Sequence, residues 1–186
     1  NVTGVQTCAL PISGSAAANV TAAIGQGINA IAFGNLAGQT GQQSGAIAIG
    51  YQAGAAGTTA TAAGQDVNAI AIGIQAGQTG QKTVAIAIGF QAGNSGQGTN
   101  GIAIGAFAGF SGQASGAIGI GQQAGYSGQS NTAIAIGTSA GYFGQRSQGI
   151  AIGSNAGAYS QGSNSISIGY LAGRTNQGPN AIAIGN

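Results

Sequence analysis

Residues 85–97 read AIAIGFQAGNSGQ, and close copies of this stretch recur along most of the chain. The glycine that closes each copy of Ala-Ile-Ala-Ile-Gly returns every sixteen residues, apart from one step of twenty-three. These glycines are Gly34, Gly50, Gly73, Gly89, Gly105, Gly121, Gly137, Gly153, Gly169 and Gly185. A short, fixed period is the signature of a solenoid, in which each repeat forms one coil stacked on its neighbour.

Within each repeat, isoleucine alternates with a small residue. Alternation with a period of two, β-branched side chains and frequent glycine favour a strand over a helix. Glycine also supplies the corners, because it adopts positive φ at no steric cost. We therefore predict an all-β fold: a single-chain parallel β-solenoid, or β-roll, of about ten sixteen-residue coils over residues 22–186.

Two columns of isoleucine lie two residues apart in each predicted strand, so both point to the same face. Because branched apolar side chains are usually the buried ones, we expect them to stack inside the coil and the alanines to form a flat outer face. The predicted core residues are Ile31, Ile47, Ile49, Ile70, Ile72, Ile86, Ile88, Ile102, Ile104, Ile118, Ile120, Ile134, Ile136, Ile150, Ile152, Ile166, Ile168, Ile182 and Ile184.

A glutamine occupies the same position in successive repeats, and these residues form a glutamine column. In stacked coils the amides superpose, and each can donate a hydrogen bond to its neighbour. We interpret the column as a ladder that satisfies a partly buried corner, since buried polar groups need partners; the alternative is a row of amides that binds a glycan or ice. The predicted ladder contains Gln42, Gln65, Gln81, Gln97, Gln113, Gln129, Gln145, Gln161 and Gln177.

Three segments depart from the repeat. The twenty-three-residue step places a seven-residue insertion within residues 55–64, which we expect to form a loop on one coil. Residues 14–21 are a poorly defined lead-in. Residues 2–12 look like the conceptual translation of a sequencing adapter, so we interpret residues 1–13 as artefactual or disordered, in a reading frame from environmental DNA. The last repeat stops in mid-pattern, and we expect the chain to be an excerpt of a longer array.

Catalysis needs a proton carrier, an activated nucleophile or a metal. The chain has no histidine, one cysteine (Cys8) and four charged residues: Asp66, Lys82, Arg146 and Arg174. We therefore predict that the protein is not an enzyme and has no catalytic, cofactor or metal site. Three scattered cations argue against a nucleic-acid partner. No apolar stretch reaches the roughly 18 residues of a membrane-spanning helix, so we expect no membrane insertion.

The strings NAIAIG (residues 68–73 and 180–185), NSISIG (164–169) and NTAIAIG (131–137) resemble the head repeats of trimeric autotransporter adhesins, the YadA-like heads. Similar arrays are found in tail-fibre-like proteins of phages and large viruses. The resemblance covers about residues 22–186. It implies a left-handed β-roll, three chains side by side, and display outside a cell or virion where the heads stick to host surfaces. The chain departs from the family in its slightly longer period and in its Gly-Gln column.

We expect from these patterns a non-enzymatic, extracellular structural or adhesive rod on a cell or virion surface. It would self-associate, as a homotrimer through its flat alanine faces or by end-to-end stacking, and a host surface or glycan is the further partner. Two alternatives share the architecture: an ice-binding β-solenoid, suggested by the flat small-residue face, and a functional amyloid or surface filament, suggested by the glutamine column and low charge. Aromatic residues follow the glycines, either as scattered surface residues or as a contact patch; these are Tyr51, Phe90, Phe107, Phe110, Tyr126, Tyr142, Phe143, Tyr159 and Tyr170.

Overall fold

The computed structural model describes residues 26–55 and 64–186, and within them the chain forms ten strands of three residues each. All ten belong to one parallel sheet, in which the strand order follows the sequence order. The described residues contain no helix. The predicted all-β parallel solenoid with sixteen-residue coils is confirmed. In chain order, β1 to β10 are Ile31–Phe33, Ile47–Ile49, Ile70–Ile72, Ile86–Ile88, Ile102–Ile104, Ile118–Ile120, Ile134–Ile136, Ile150–Ile152, Ile166–Ile168 and Ile182–Ile184.

Each strand pairs in register with the strand of the next coil. Ile86, for example, pairs with Ile102, sixteen residues later. The register is kept across the longer step, where Ile47 pairs with Ile70. The insertion is therefore absorbed between equivalent positions of two coils. The loop expected within residues 55–64 lies outside the described residues except for its two ends, and so do segments 1–13 and 14–21.

A second line of pairing runs along another side of the coil. Isolated parallel bridges link equivalent residues of seven successive coils, beginning with Thr79 and Ser95 and continuing to Tyr159 and Thr175. Tight turns lie between the two lines, as where the Gly101 N–H donates to the Gly98 carbonyl at 3.0 Å. Adjacent coils are thus joined on two sides, which makes the stack a continuous rod.

The interior of the coil is lined by alanine and not by isoleucine. The central residue of each internal strand, such as Ala87 or Ala103, is completely buried, whereas the flanking isoleucines are half-buried or exposed. The predicted isoleucine core was therefore wrong. These side chains form an outward surface, which we call the isoleucine face: Ile31, Ile47, Ile49, Ile70, Ile72, Ile86, Ile88, Ile102, Ile104, Ile118, Ile120, Ile134, Ile136, Ile150, Ile152, Ile166, Ile168, Ile182 and Ile184.

Steric room explains this inversion. A Cβ atom added to Gly93 would lie 3.2 Å from the Cβ of Ala87 and 2.5 Å from Oε1 of Gln97, so opposite walls of the coil are already in contact. Protein interiors are close-packed, and a branched side chain has no space between such walls. A period of two defines two faces of a strand without stating which one is inside. The narrow cross-section decides it, and at the inward position of the strand only alanine, glycine or serine is found.

Glutamine supplies the largest side chains inside this narrow coil. Gln42, Gln65, Gln81, Gln97, Gln113, Gln129, Gln145 and Gln161 are 0–1% exposed. Nε2 of each donates to two backbone carbonyls on other sides of its coil; for Gln81 these are Ile70 at 2.7 Å and Ala85 at 3.1 Å. The buried amides therefore brace the coil where alanine methyl groups cannot reach.

Amide-to-amide hydrogen bonds also link successive glutamines. One run extends from Gln42 to Gln97 and a second from Gln113 to Gln161. Beyond the second run, the Ser167 hydroxyl accepts from Gln161 and donates to Oε1 of Gln177. The column is thus a structural ladder, and its burial excludes the alternative of an amide row that binds a glycan or ice.

Candidate interaction surface

The isoleucine face is a continuous aliphatic strip along one side of the rod. Its members in the inner coils remain accessible, with Ile88 and Ile152 each 36% exposed. Ten strands spaced by about 4.8 Å make a strip roughly 43 Å long, and three residues make it about 10 Å wide. An area on the order of 400 Å² matches the largest apolar patches of monomeric proteins, which are often functional. This strip is a candidate contact surface.

A row of aromatic side chains occupies a different corner of the coil. Phe110, Tyr126 and Tyr142 stack along the rod axis, with ring centroids 5.1 and 5.0 Å apart. Phe143 and Tyr159 lie beside them and are 41% and 39% exposed. The structure thus groups seven of the nine aromatic residues noted in the sequence into what we call the aromatic row: Phe90, Phe107, Phe110, Tyr126, Tyr142, Phe143 and Tyr159.

The same corner carries amides in the preceding coils, a feature that the sequence analysis missed. Gln91 donates to Gln75 at 2.6 Å, and Gln75 donates to Gln52 at 2.9 Å. Sixteen residues after Gln91, the equivalent position is Phe107. Phe107, which joins the aromatic row, therefore interrupts a column of amides, and the column resumes at Gln123, where the Ser139 hydroxyl donates to Oε1 at 3.5 Å.

The charged residues occupy separate places on the surface. Lys82 and Asp66 form an exposed ion pair at 3.8 Å. Arg174 lies over the Tyr159 ring, 6.0 Å from its centroid. Arg146 lines two adjoining cavities of about 390 and 330 Å³, together with Ser160. We call these two cavities the polar groove.

Residues 26–55 and 64–186 hold no group of three His, Cys, Asp or Glu side chains arranged for a metal ion. The same residues include no helix with the length and apolar character needed to cross a membrane.

Because the alanines are buried, they are not available as a contact surface for a partner. Association through flat alanine faces was an incorrect expectation, because those alanines line the interior. The ice-binding alternative loses its basis for the same reason, since the flat small-residue face is not on the surface. The accessible candidates are the isoleucine face, the aromatic row and the polar groove.

Compared with protein-family models, with curated proteins and with solved structures, the chain gives no match in any of the three. The functional argument therefore depends on the surfaces described above.

Proposed function

We propose that this chain is a non-enzymatic structural and adhesive rod, displayed outside a cell or on a virion, and that it self-associates through its isoleucine face. The exposed aliphatic strip carries the proposal. A strip of this length exposed to water is unfavourable, and burying apolar area contributes roughly 25 cal/mol per Å². The rod shape and the resemblance of its strand repeats to adhesin heads support the adhesive role.

A second copy of the same chain is the partner that fits the strip best. The strip is flat, in register and made almost entirely of one residue type, so it is complementary to itself. It carries no charge that would repel an identical face, since the four charged residues lie elsewhere. Three rods around a common axis bury the strip on every rod, in a closed symmetric assembly of the kind that soluble oligomers favour. We therefore propose a homotrimer.

Light scattering of the purified chain tests this proposal. The expected mass is three times the chain mass of 17.5 kDa. A six-residue variant should give a monomer with an unchanged far-ultraviolet circular dichroism spectrum, because these side chains stay outside the coil: Ile86, Ile88, Ile102, Ile104, Ile118 and Ile120, each changed to threonine.

The control changes six apolar residues that are more exposed and do not belong to the isoleucine face to threonine, and it should remain trimeric: Tyr51, Val67, Ile74, Val84, Phe90 and Tyr170. A wild-type monomer at tens of micromolar would contradict self-association, and a dimer would contradict the trimer alone. Fibres seen by electron microscopy would favour the surface-filament alternative.

A further inference from the structure

The polar groove is an open depression on the surface of the rod, and Arg146, Ser160 and Asn176 in its lining are exposed. Its two cavities measure about 390 and 330 Å³ and share Arg146 and Ser160. Ligand sites in proteins begin at about 300 Å³. The groove crosses neighbouring coils, because Ser130, Arg146 and Gly162 occupy the same coil position in successive repeats. A ligand longer than one coil spacing can therefore lie along it.

The positive charge of Arg146 in this groove has no acidic partner in the protein. Asp66 is the only acidic residue of the sequence, and it pairs with Lys82. No acidic side chain is left to pair with Arg146. A guanidinium offers a planar fork of donors that matches a carboxylate in two parallel hydrogen bonds. A ligand that bears a carboxylate would supply the missing partner.

The backbone conformation of two lining residues differs in cost from that of the glycines they replace. One column of the coil has positive φ at every position from Gly80 to Asn176, and glycine fills it at Gly80, Gly96, Gly112, Gly128 and Gly144. In the next two coils Ser160 and Asn176 take the place of glycine, at φ 57° and 51°, whereas Gly128 and Gly144 keep it in the lining of the smaller cavity. Left-handed conformations are costly for residues with a Cβ. Both replacements put a polar side chain in the lining of the groove.

The lining chemistry selects a saccharide among carboxylate-bearing ligands. Ser160, Ser163 and Asn176 line the same cavity as Arg146, and their hydroxyl and amide groups can bond a ligand rich in hydroxyl groups. A nucleic acid would need several phosphates neutralised by clustered cations, whereas this groove holds one arginine.

We propose that the polar groove binds an acidic oligosaccharide, with Arg146 pairing its carboxylate and with Ser160 and Asn176 bonding its hydroxyl groups. This inference rests on the adhesive function proposed above and names the ligand class for it.

Calorimetric titration of the full chain with a hyaluronan hexasaccharide tests the proposal. We expect submillimolar binding that Arg146→Gln weakens at least tenfold. Lys82→Gln is the matched control, because Lys82 has the same sign of charge and the same coil position but lies outside the groove. Its affinity should stay within twofold of wild type. Equal effects of the two substitutions, or no wild-type binding at millimolar saccharide, would overturn the proposal.

A second variant separates binding from folding. Ser160→Gly restores the glycine that the five preceding coils have at this position, so it should raise the melting temperature while weakening saccharide binding at least threefold. A higher melting temperature with unchanged affinity would remove Ser160 from the site and overturn the proposal as stated.

Two competing ligands complete the test. A neutral chitin hexasaccharide and hexaglutamate should each bind at least tenfold more weakly than hyaluronan, and equal binding of either one would overturn an acidic saccharide as the ligand. Light scattering of the same samples distinguishes the two proposals. A trimer without saccharide binding contradicts only this inference, and a monomer that binds saccharide contradicts only the trimer.

Discussion

Gln81 and Ile70 are joined across the interior of one coil: Nε2 of the glutamine donates to the isoleucine carbonyl oxygen at 2.7 Å. The glutamine is fully buried, whereas the isoleucine side chain points outward and is only half-buried. The usual roles of the two residue types are thus reversed. A polar side chain holds the inside of the coil together, and an apolar side chain forms its surface.

Removing one rung of the buried ladder should strongly destabilise the rod. Gln81→Leu keeps the volume but leaves the carbonyls of Ile70 and Ala85 and the Nε2 of Gln65 without this partner. Buried groups that lose a partner cost about 1–3 kcal/mol each, so we expect a loss of at least about 2 kcal/mol in the free energy of unfolding. Urea denaturation measures it. The exposed Gln122→Leu should change stability by less than about 0.5 kcal/mol, and a similar loss in both variants would contradict a special role for the buried amide.

Enlarging an interior alanine should be far more damaging than changing a neighbouring isoleucine. Ala87→Val adds two methyl groups where Ala87 already contacts the opposite wall. Overpacking costs about 1–3 kcal/mol and more where the backbone cannot move. Ile88→Thr, on the outward face of the same strand, should be nearly neutral in a chain kept monomeric. Thermal melting of both variants decides which face is inside, and the reverse order of stabilities would restore the isoleucine core.

Relieving backbone strain at Val84 should stabilise the rod. Val84 has φ 59°, a left-handed conformation that is unfavourable for a β-branched residue. Equivalent positions sixteen residues away on either side hold Asn68 and Asn100, at φ 56° and 57°. Val84→Asn should therefore gain about 1 kcal/mol in the free energy of unfolding. The converse change, Asn100→Val, should lose a similar amount; two substitutions that shift stability in the same direction would refute this explanation.

Glycine at the end of each strand should be irreplaceable. At Gly89, φ is 127°, and an added Cβ would lie 2.8 Å from the carbonyl oxygen of Gly105 in the next coil. Gly89→Ala should abolish the native circular dichroism spectrum, because the two coils cannot separate without breaking their pairing. Gly178→Ala is the control, since nothing lies within 4 Å of its added Cβ. A folded Gly89→Ala chain with an unchanged melting temperature would show that the coils are more loosely stacked than described.

Most of the architecture was predictable, because a fixed period, an alternating strand and glycine corners all specify the same fold. The orientation of the strand was not, since alternation is symmetric and hydrophobicity alone favoured isoleucine inside. Side-chain volume carries the missing signal. The column between the isoleucines contains only alanine, Gly119 and Ser167, whereas the isoleucine columns also accept Phe33. In a narrow coil the column with the stricter size limit is the buried one.

The surfaces were harder to predict than the fold. Residues such as Phe107 and Phe110 stand at different positions of the repeat, and only the stacking of coils brings them together with Tyr126. The polar groove was even harder to predict from the sequence. Ser160 and Asn176 look like ordinary small polar substitutions until their backbone conformation is known.

The direction of the buried amide links gives the rod an electrical orientation. In every link the earlier glutamine donates and the later one accepts, as from Gln65 to Gln81. Oε1 is left without a partner at Gln42 and Gln113, where the two runs begin. Aligned amide dipoles add along their common axis, as they do in a helix. The rod therefore has a dipole along its axis although it carries few charged residues. The dipoles of two neighbouring rods favour an antiparallel arrangement. A parallel arrangement forms only if contacts between the faces of the rods outweigh that preference.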